Sequence, residues 1–183
     1  MLLRKFPWSS IPEYFYQQLR SQLHDADVIP RGWIYPPPPL AGAESQIFFG
    51  SKQIASVTAV LALSPKETEV TDVSRILLPG SRWFINEDLF VCIINKRLAD
   101  ALESEFGTPV KVGSTLPLWG INLTITGIFD GSYLSSILDL DQEPITPVRR
   151  QTGVAFTTTP PHSGGDVVMI IPYRLFEMLN LQT

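Results

Sequence analysis

The sequence contains few of the side chains on which catalysis and metal binding usually depend. Its 183 residues include one cysteine, Cys92, and two histidines, His24 and His162. A single cysteine excludes an intrachain disulfide, and its position within Phe-Val-Cys-Ile-Ile predicts a small buried hydrophobe. Neither histidine has a metal-ligand neighbour at helical or hairpin spacing, so we expect both on the surface and no metal site.

Long apolar runs and a basic surface are also lacking. No segment approaches the ~20 apolar residues that a membrane-spanning helix needs, and residues 1–6 lack the apolar core of a signal peptide. The chain has 14 Lys and Arg against 18 Asp and Glu, for a net charge of −4. Because the basic residues are also scattered, we expect no nucleic-acid partner.

The motifs of the commonest catalytic sites are absent. There is no Gly-x-Ser-x-Gly nucleophile elbow, and no phosphate-binding loop of the Gly-x-x-x-x-Gly-Lys-Ser/Thr type, so any ATP hydrolysis must occur in another chain. Asp139, Asp141 and Glu143 alternate like part of a calcium loop, but the expected glycine and bidentate glutamate do not follow, which favours a solvated loop. Asp130 is expected to serve a turn. We therefore predict no enzyme and no cofactor.

What the sequence does contain indicates a folded protein of many short elements. Hydrophobic residues make up 44% of the chain and charged residues 17%, which excludes a disordered tail. Sixteen prolines and 12 glycines indicate frequent tight turns. A chain of this length can bury a core without disulfides. We expect a loop-rich protein that mixes helices and strands.

The first third of the chain predicts one helix, a connector and two strands. A capping pattern at Ser10, followed by apolar residues at every fourth position, predicts a helix that ends near Asp25. The four consecutive prolines in 29–40 predict an extended connector. Residues 46–49 and 53–63 predict two paired strands, and the capping box at 64–67 predicts a short helix.

The middle of the chain predicts a strand, a helix and a hairpin. Residues 90–94 form an apolar run of strand length, and Asn95 is a good N-cap for a helix that Gly107 would end. The buried face of that helix would carry Leu98, Leu102 and Phe106. Residues 115–119 and 121–129 predict a hairpin around Gly120, with Leu123, Ile125 and Gly127 buried and Thr124 and Thr126 on the wetter face.

The last part of the chain predicts a packed segment, an exposed crossing and a strand-to-helix junction. Residues 133–140 are apolar enough to pack, whereas 141–150 read as exposed. Residues 151–159 and 166–171 predict strands separated by a loop with strong turn chemistry. A final helix from Pro172 would bury Leu175, Phe176 and Leu179.

Aromatic side chains are the remaining candidates for contact with a partner. The candidate interface residues are Trp83 with Phe84, Trp33 with Tyr35, and Trp119 at the tip of the predicted hairpin. Aromatic residues are enriched in interfaces, but each of these five could equally belong to the core.

The order of these motifs resembles the extracytoplasmic core domain of MacB-type and FtsX-type ABC transporter permeases. The resemblance begins with Leu-Pro-Gly-Ser-Arg-Trp-Phe at 78–84, followed by Asp88. It continues through the strand 90–94 with its Asn95 helix, and through Val112-Gly113 with the hairpin to Gly127-Ile128. It ends with Ile-Ile-Pro-Tyr-Arg-Leu at 170–175. About half of the chain is covered.

The resemblance implies a fold class of α+β (mixed α/β), with two lobes. One lobe would be a βαβ-containing layer with helices on one face, and the other a smaller, mostly β lobe. Residues 1–63 with 108–183 would form the α/β lobe around a variable part. Residues 1–183 would be a single extracytoplasmic core domain, a fragment of a longer protein of the cell membrane, on its periplasmic or extracellular side.

The resemblance also implies a non-catalytic role. The domain would couple cytoplasmic ATP hydrolysis to substrate export or to activation of an extracytoplasmic partner. Its partners would be a cytoplasmic ATPase subunit, reached through the full-length permease, a second permease copy, and a substrate or partner protein that the sequence does not name. Prolines 36–39 and the loop 139–150 depart from the family pattern and leave specificity open. The alternative is a free-standing extracytoplasmic ligand- or peptide-binding module.

Overall fold

Continuous apolar runs become the central strands of a six-stranded sheet in the computed structural model, which describes residues 13–36, 46–139, 142–148 and 162–180. These strands are β4 (Ala59–Leu63), β5 (Val91–Asn95) and β8 (Val168–Pro172). All side chains of β4 and β8 are buried, as are those of β5 after its first residue. A strand covered on both faces has no wet side, which explains why these segments show no polar alternation.

The sheet mixes parallel and antiparallel pairs. Its remaining strands are β1 (Arg31–Ile34), β6 (Thr115–Leu118) and β7 (Ile121–Phe129). The spatial order is β1-β4-β8-β5-β7-β6. Strands β4 and β8 pair in parallel, as do β5 and β7, whereas the other neighbours are antiparallel. The predicted mixed α/β class is confirmed.

Helical elements cover both faces of the sheet. The helices α3 (Lys96–Phe106) and α5 (Tyr173–Asn180) pack on the face that carries Cys92 and Ile94. The opposite face, which carries Ile93, is covered by α4 (Gly131–Leu134) and a 3-10 helix. The other elements are α1 (Glu13–Gln22), α2 (Glu67–Val70) and the 3-10 helices Val73–Ile76 and Gly165–Val167.

The helix α3 begins and ends as the sequence predicts. Asn95 Oδ1 accepts a hydrogen bond from Leu98 N–H, and Gly107 follows the helix in the left-handed conformation with φ of +70°. The predicted buried face is only partly right, because Phe106 is exposed. Glu105 is buried in its place, one position earlier along the same face.

The predicted strand 53–63 is in fact two strands in two different sheets. The first, β3 (Ala55–Val57), pairs with β2 (Ile47–Phe49) in a separate two-stranded sheet. Thr58 interrupts the run and donates its backbone N–H to Val167 O, after which β4 joins the large sheet. Periodicity could not reveal this division, because the only polar residues in 55–63 are Ser56 and Thr58, and their spacing also fits one alternating strand.

Two other segments differ from their sequence interpretation. Strand β1 lies within the stretch expected to be a connector, whose proline-rich part 37–40 is outside the described residues. The loop expected to be exposed at 141–150 is buried at Ile145, Thr146 and Pro147. Thr126 is also buried rather than wet, because the register of β5 and β7 shifts between the pairs Cys92–Ile125 and Ile93–Gly127 and breaks the alternation. Its hydroxyl donates to Cys92 O.

The prediction of a capping box at 64–67 is wrong, although the predicted short helix forms as α2. Lys66 is the N-cap of α2 and makes no side-chain capping bond. The Glu67 carboxylate binds an arginine of β1 instead. The predicted strand 151–159 and the start of the first helix lie outside the described residues, and the division into lobes stays a prediction. Among the described helices, none combines the length and the apolar character required to cross a bilayer.

Candidate functional site

The segment 78–84 lies along the part of β7 that β6 does not reach. Leu78 N–H donates to Ile128 O, and Arg82 N–H donates to Thr126 O. The Ser81 hydroxyl and Ile128 exchange two further hydrogen bonds, at 3.2 and 2.9 Å. Because β6 pairs only with 121–124, this segment satisfies backbone groups that would otherwise form an open sheet edge.

A glycine permits this close approach. A Cβ atom at Gly127 would lie 3.2 Å from the carbonyl oxygen of Arg82. The two motifs, 78–84 and 127–128, are therefore in direct contact although they are more than 40 positions apart in the sequence. They form one structural unit at the end of β7.

The Arg82–Asp88 ion pair closes the loop that follows. The guanidinium donates to both carboxylate oxygens, at 2.6 and 3.0 Å, and Ile85 N–H donates to the same carboxylate at 2.9 Å. The hydrogen bonds from Arg82, followed by the one from Ile85, hold the pKa of Asp88 below its ordinary value. Asp88 is buried, so its charge needs these partners.

Trp83 and Phe84 occupy different environments within this loop. Phe84 is buried in the core cluster under the sheet, and Trp83 packs partly buried against it, with ring centroids 5.2 Å apart. The indole Nε1 of Trp83 is buried and has no hydrogen-bond partner among the described residues. These two side chains contact the core, and only Trp83 retains some exposed surface.

Trp119 lies at the tip of the β6–β7 hairpin, in a backbone conformation that tryptophan rarely adopts. The two-residue turn has φ of +49° at Trp119 and +80° at Gly120. Asn-Gly is the sequence that such a turn favours, because a bulky side chain at positive φ costs about 1 kcal/mol. The Trp119 side chain is nevertheless 46% exposed, so packing within this chain offsets the strain only in part.

Trp33 and Tyr35 lie at and just beyond β1, on the opposite edge of the sheet. The Trp33 ring is 38% exposed and stands perpendicular to the imidazole of His162, with centroids 6.4 Å apart. The Tyr35 hydroxyl donates to Val148 O at 2.7 Å. Tyr35 therefore ties the loop 142–148 to the end of β1, and Trp33 contacts the segment that begins at His162.

The candidate interface residues do not form one surface. Strands β1 and β6 are the two outermost strands, separated by five strand spacings of ~4.8 Å, or about 24 Å. Trp33 and Trp119 therefore cannot contact one small partner group together. Of the five candidates, Trp119 combines high exposure with a strained backbone.

An ion cluster that the sequence does not reveal ties β1 to two other segments. The Arg31 guanidinium donates two hydrogen bonds to Glu67, at 3.0 and 2.8 Å, and a third to Asp139. Burial works to lower the pKa of Arg31, but the hydrogen bonds and charges of Glu67 and Asp139 outweigh it and raise the pKa. Glu67 has no exposed surface, so its ion pair with Arg31 has a structural role and fixes β1 to α2.

A second polar contact fixes the small sheet to α3. Glu105 Oε1 accepts the backbone N–H of Lys52 at 2.7 Å, and Lys52 Nζ donates back to the carbonyl of Glu105. Gly50, in the β2–β3 turn, lies so close that a Cβ atom there would be 2.1 Å from Glu105 Oε1. Oε2 of Glu105 is buried with no partner among the described residues.

The remaining candidates for chemistry are dispersed. Burial raises the pKa of the Cys92 thiol to about 12, so it carries almost no thiolate at neutral pH. His24 is exposed as expected, but His162 is largely buried, which corrects its assignment to the surface. The carboxylate of Asp139 pairs with Arg31, and that of Glu143 lies near His162. Asp141 lies outside the described residues. Within the described part of the chain, no cluster of three His, Cys, Asp or Glu side chains could hold a metal ion.

Sequence reasoning missed the contacts of Arg31, Glu105 and His162 for one reason. Their partners lie 16 to 108 positions away along the chain. The only local signals are charged residues inside otherwise apolar segments, such as Glu105 on the buried face of α3.

Comparison with known proteins finds a likeness among solved structures but none among family models or curated sequences. No protein-family model matches the chain, and no curated protein matches it. The structure is similar to the crystal structure of the periplasmic region of MacB from Actinobacillus actinomycetemcomitans, with a TM-score of 0.45 and 13% sequence identity. The likeness covers 87% of this chain and 54% of that one, so this chain spans about half the length of that periplasmic region.

Proposed function

We propose that the chain is the extracytoplasmic domain of an ABC transporter permease. In this role the domain has no catalytic activity. It couples ATP hydrolysis by a cytoplasmic subunit to substrate export, or to activation of a partner outside the membrane. Residues 1–183 act as a single core domain, and a second permease copy is its expected neighbour.

The observation that carries the proposal is the contact between separate motifs of the family resemblance. Segment 78–84 binds the 126–128 stretch of β7, and β7 pairs in parallel with β5, the strand that leads into the Asn95 helix. The β8–α5 junction follows on the other side of β5. The motifs of the resemblance thus lie together in or along one sheet, which supports the proposal.

The polar contacts support a domain that transmits force without deforming. Arg31 and Glu105 each bind a segment that is distant in sequence. Arg82 closes a loop by binding Asp88. A β-sheet with helices on both faces is stiff because its interior is close-packed. A stiff body can pass the motion of adjoining membrane helices to a contact at its surface.

Trp119 is the residue that we assign to that contact. A strained, exposed tryptophan at a hairpin tip is costly to the isolated domain, and such strain is typical of functional positions. Tryptophan is also among the side chains that contribute most to interface affinity.

The first test is the gene itself. We expect the open reading frame that encodes this segment to contain a long apolar span before it and three after it, as the hydropathy of the flanking sequence would show. A reading frame that encoded only this segment behind a secretion signal would contradict the permease and favour a free-standing binding module.

The second test separates contact from fold at Trp119. In the full-length permease, Trp119→Asn should leave the domain as stable as before, or more stable by up to about 1 kcal/mol, because asparagine tolerates this turn. It should also fail to rescue a permease deletion while membrane ATPase activity persists. Tyr133→Ser, which removes an exposed aromatic from α4, is the matched control. Full rescue by Trp119→Asn would exclude Trp119 from the contact.

A further inference from the structure

His162 joins two segments that are distant along the chain. A β-bridge pairs His162 with Val148, and Ser163 N–H donates to Pro147 O at 2.7 Å. The imidazole Nδ1 lies in hydrogen-bond contact with Thr146 O. The backbone and the ring therefore hold the same junction, between 146–148 and 162–163.

The hydrogen bond to Thr146 determines where the imidazole proton lies. A carbonyl oxygen can only accept, so Nδ1 must carry the hydrogen. In the neutral ring, Nε2 is then a bare acceptor. It is buried without a hydrogen-bond partner among the described residues, and Glu143 Oε2 lies 4.0 Å from it. Because Nε2 of the neutral ring and the Glu143 carboxylate are both acceptors, their contact does not stabilise the neutral form.

Protonation reverses this relation. A proton on Nε2 would turn two facing acceptors into an imidazolium and a carboxylate at ion-pair distance. The side chains are 12% and 33% exposed, so water screens the pair less than it would a surface pair. The buried Nε2–H would then face a carboxylate oxygen.

Among the described residues, a recorded neighbour of the ring carries no charge. Trp33 of β1 contacts the imidazole with an uncharged ring. On β1 and at the start of the loop, the Arg31 guanidinium pairs with Glu67 and Asp139. Asp139 is also tied to the loop, because its backbone N–H donates to Glu143 O.

We propose that His162 and Glu143 form a pH-dependent clamp on the junction between 146–148 and 162–163. The clamp is tight when Nε2 carries a proton, and it loosens when the imidazole is neutral. This inference does not depend on the permease assignment.

The tautomer is the first test, and the chain contains its own control. In the 183-residue protein, long-range proton–nitrogen spectra at about pH 8 should show His162 with hydrogen on Nδ1. His24, which is exposed, should show the Nε2–H tautomer that free imidazoles prefer. Finding the hydrogen of His162 on Nε2 would overturn the proposal.

Amide exchange at Ser163 is the second test. Its protection factor should rise about fivefold from about pH 8 to about pH 5.5, the effect of a partly screened ion pair. Glu143→Gln keeps the shape of the side chain and removes its charge, so this rise should disappear. His24→Asn should behave as the unmodified protein does. An equal rise in Glu143→Gln would show that Glu143 plays no part and would contradict the clamp.

A third variant removes the imidazole itself. His162→Asn can keep a donor near the Nδ1 position for Thr146 O and cannot titrate, so its Ser163 protection should be independent of pH. A pH response that persisted in this variant would assign the effect to another group and overturn the proposal.

Discussion

The carboxylate of Asp88 accepts three hydrogen bonds, two from the Arg82 guanidinium and one from Ile85 N–H. It is buried, whereas Arg82 is half exposed. Asp88→Asn would keep an acceptor for Ile85 but lose the charge. We expect a loss of about 1 to 2 kcal/mol of unfolding free energy at neutral pH, measured by urea denaturation.

The pH dependence of this variant follows from the sign of the pKa shift. Hydrogen bonds from Arg82 hold the pKa of Asp88 below its ordinary value, so the carboxylate stabilises the fold at all pH values above that ordinary value. The contribution is lost as the pH falls through the lowered pKa. The difference between the two proteins should therefore be constant from about pH 7 to about pH 5 and should shrink below about pH 4.

Asp100→Asn is the control at this scale. Asp100 pairs with Lys96 on the surface of α3, and both side chains are more than half exposed. Its removal should change stability by less than about 0.5 kcal/mol. Equal losses in the two variants would show that burial of Asp88 contributes nothing.

At the scale of elements, two glycines isolate the attachment of the small sheet to α3. Gly50 and Gly80 have nearly the same φ, +81° and +83°, but different surroundings. A Cβ atom at Gly80 would meet nothing within 4 Å, whereas one at Gly50 would collide with Glu105 Oε1. Alanine at either position incurs the same backbone strain, so any difference between the variants reports the contact with Glu105.

We expect Gly80→Ala to cost about 1 kcal/mol of unfolding free energy. Gly50→Ala should cost at least ~1 kcal/mol more, because displacing Glu105 also removes the hydrogen bond from Lys52 N–H. Urea denaturation measures both costs, and amide exchange at Lys52 localises the second. Equal costs would mean that the carboxylate moves aside freely and that the small sheet is not anchored there.

At the scale of the whole molecule, Cys92 reports global unfolding. It is the only thiol, and it lies in β5, in the interior of the large sheet. Burial raises its pKa to about 12, so at about pH 8 the native protein should react with a disulfide reagent only as fast as it unfolds. Labelling should accelerate in step with the loss of circular dichroism as urea is added. Fast labelling without urea would show that β5 opens locally.

The elements that the sequence predicts well are those whose determinants are local. Asn95 and Gly107 set the ends of α3, and the apolar runs of β5 and β8 mark strands buried on both faces. The β6–β7 hairpin was predictable from its alternation and from Gly120. Strand β1 was not, because the prolines that follow it dominate that segment and its pairing with β4 is a long-range contact.

The sequence by itself determined a mixed α/β protein with one buried cysteine, the strand–helix–hairpin order of 90–129, and the family resemblance of its motifs. Only the tertiary structure decided that 53–63 divides between two sheets, that Glu67 and Glu105 are buried partners, and that His162 faces Glu143. The physical reason is that caps and periodicity act within one or two helical turns. A buried charge, in contrast, is stable only beside a partner that folding brings from elsewhere in the chain.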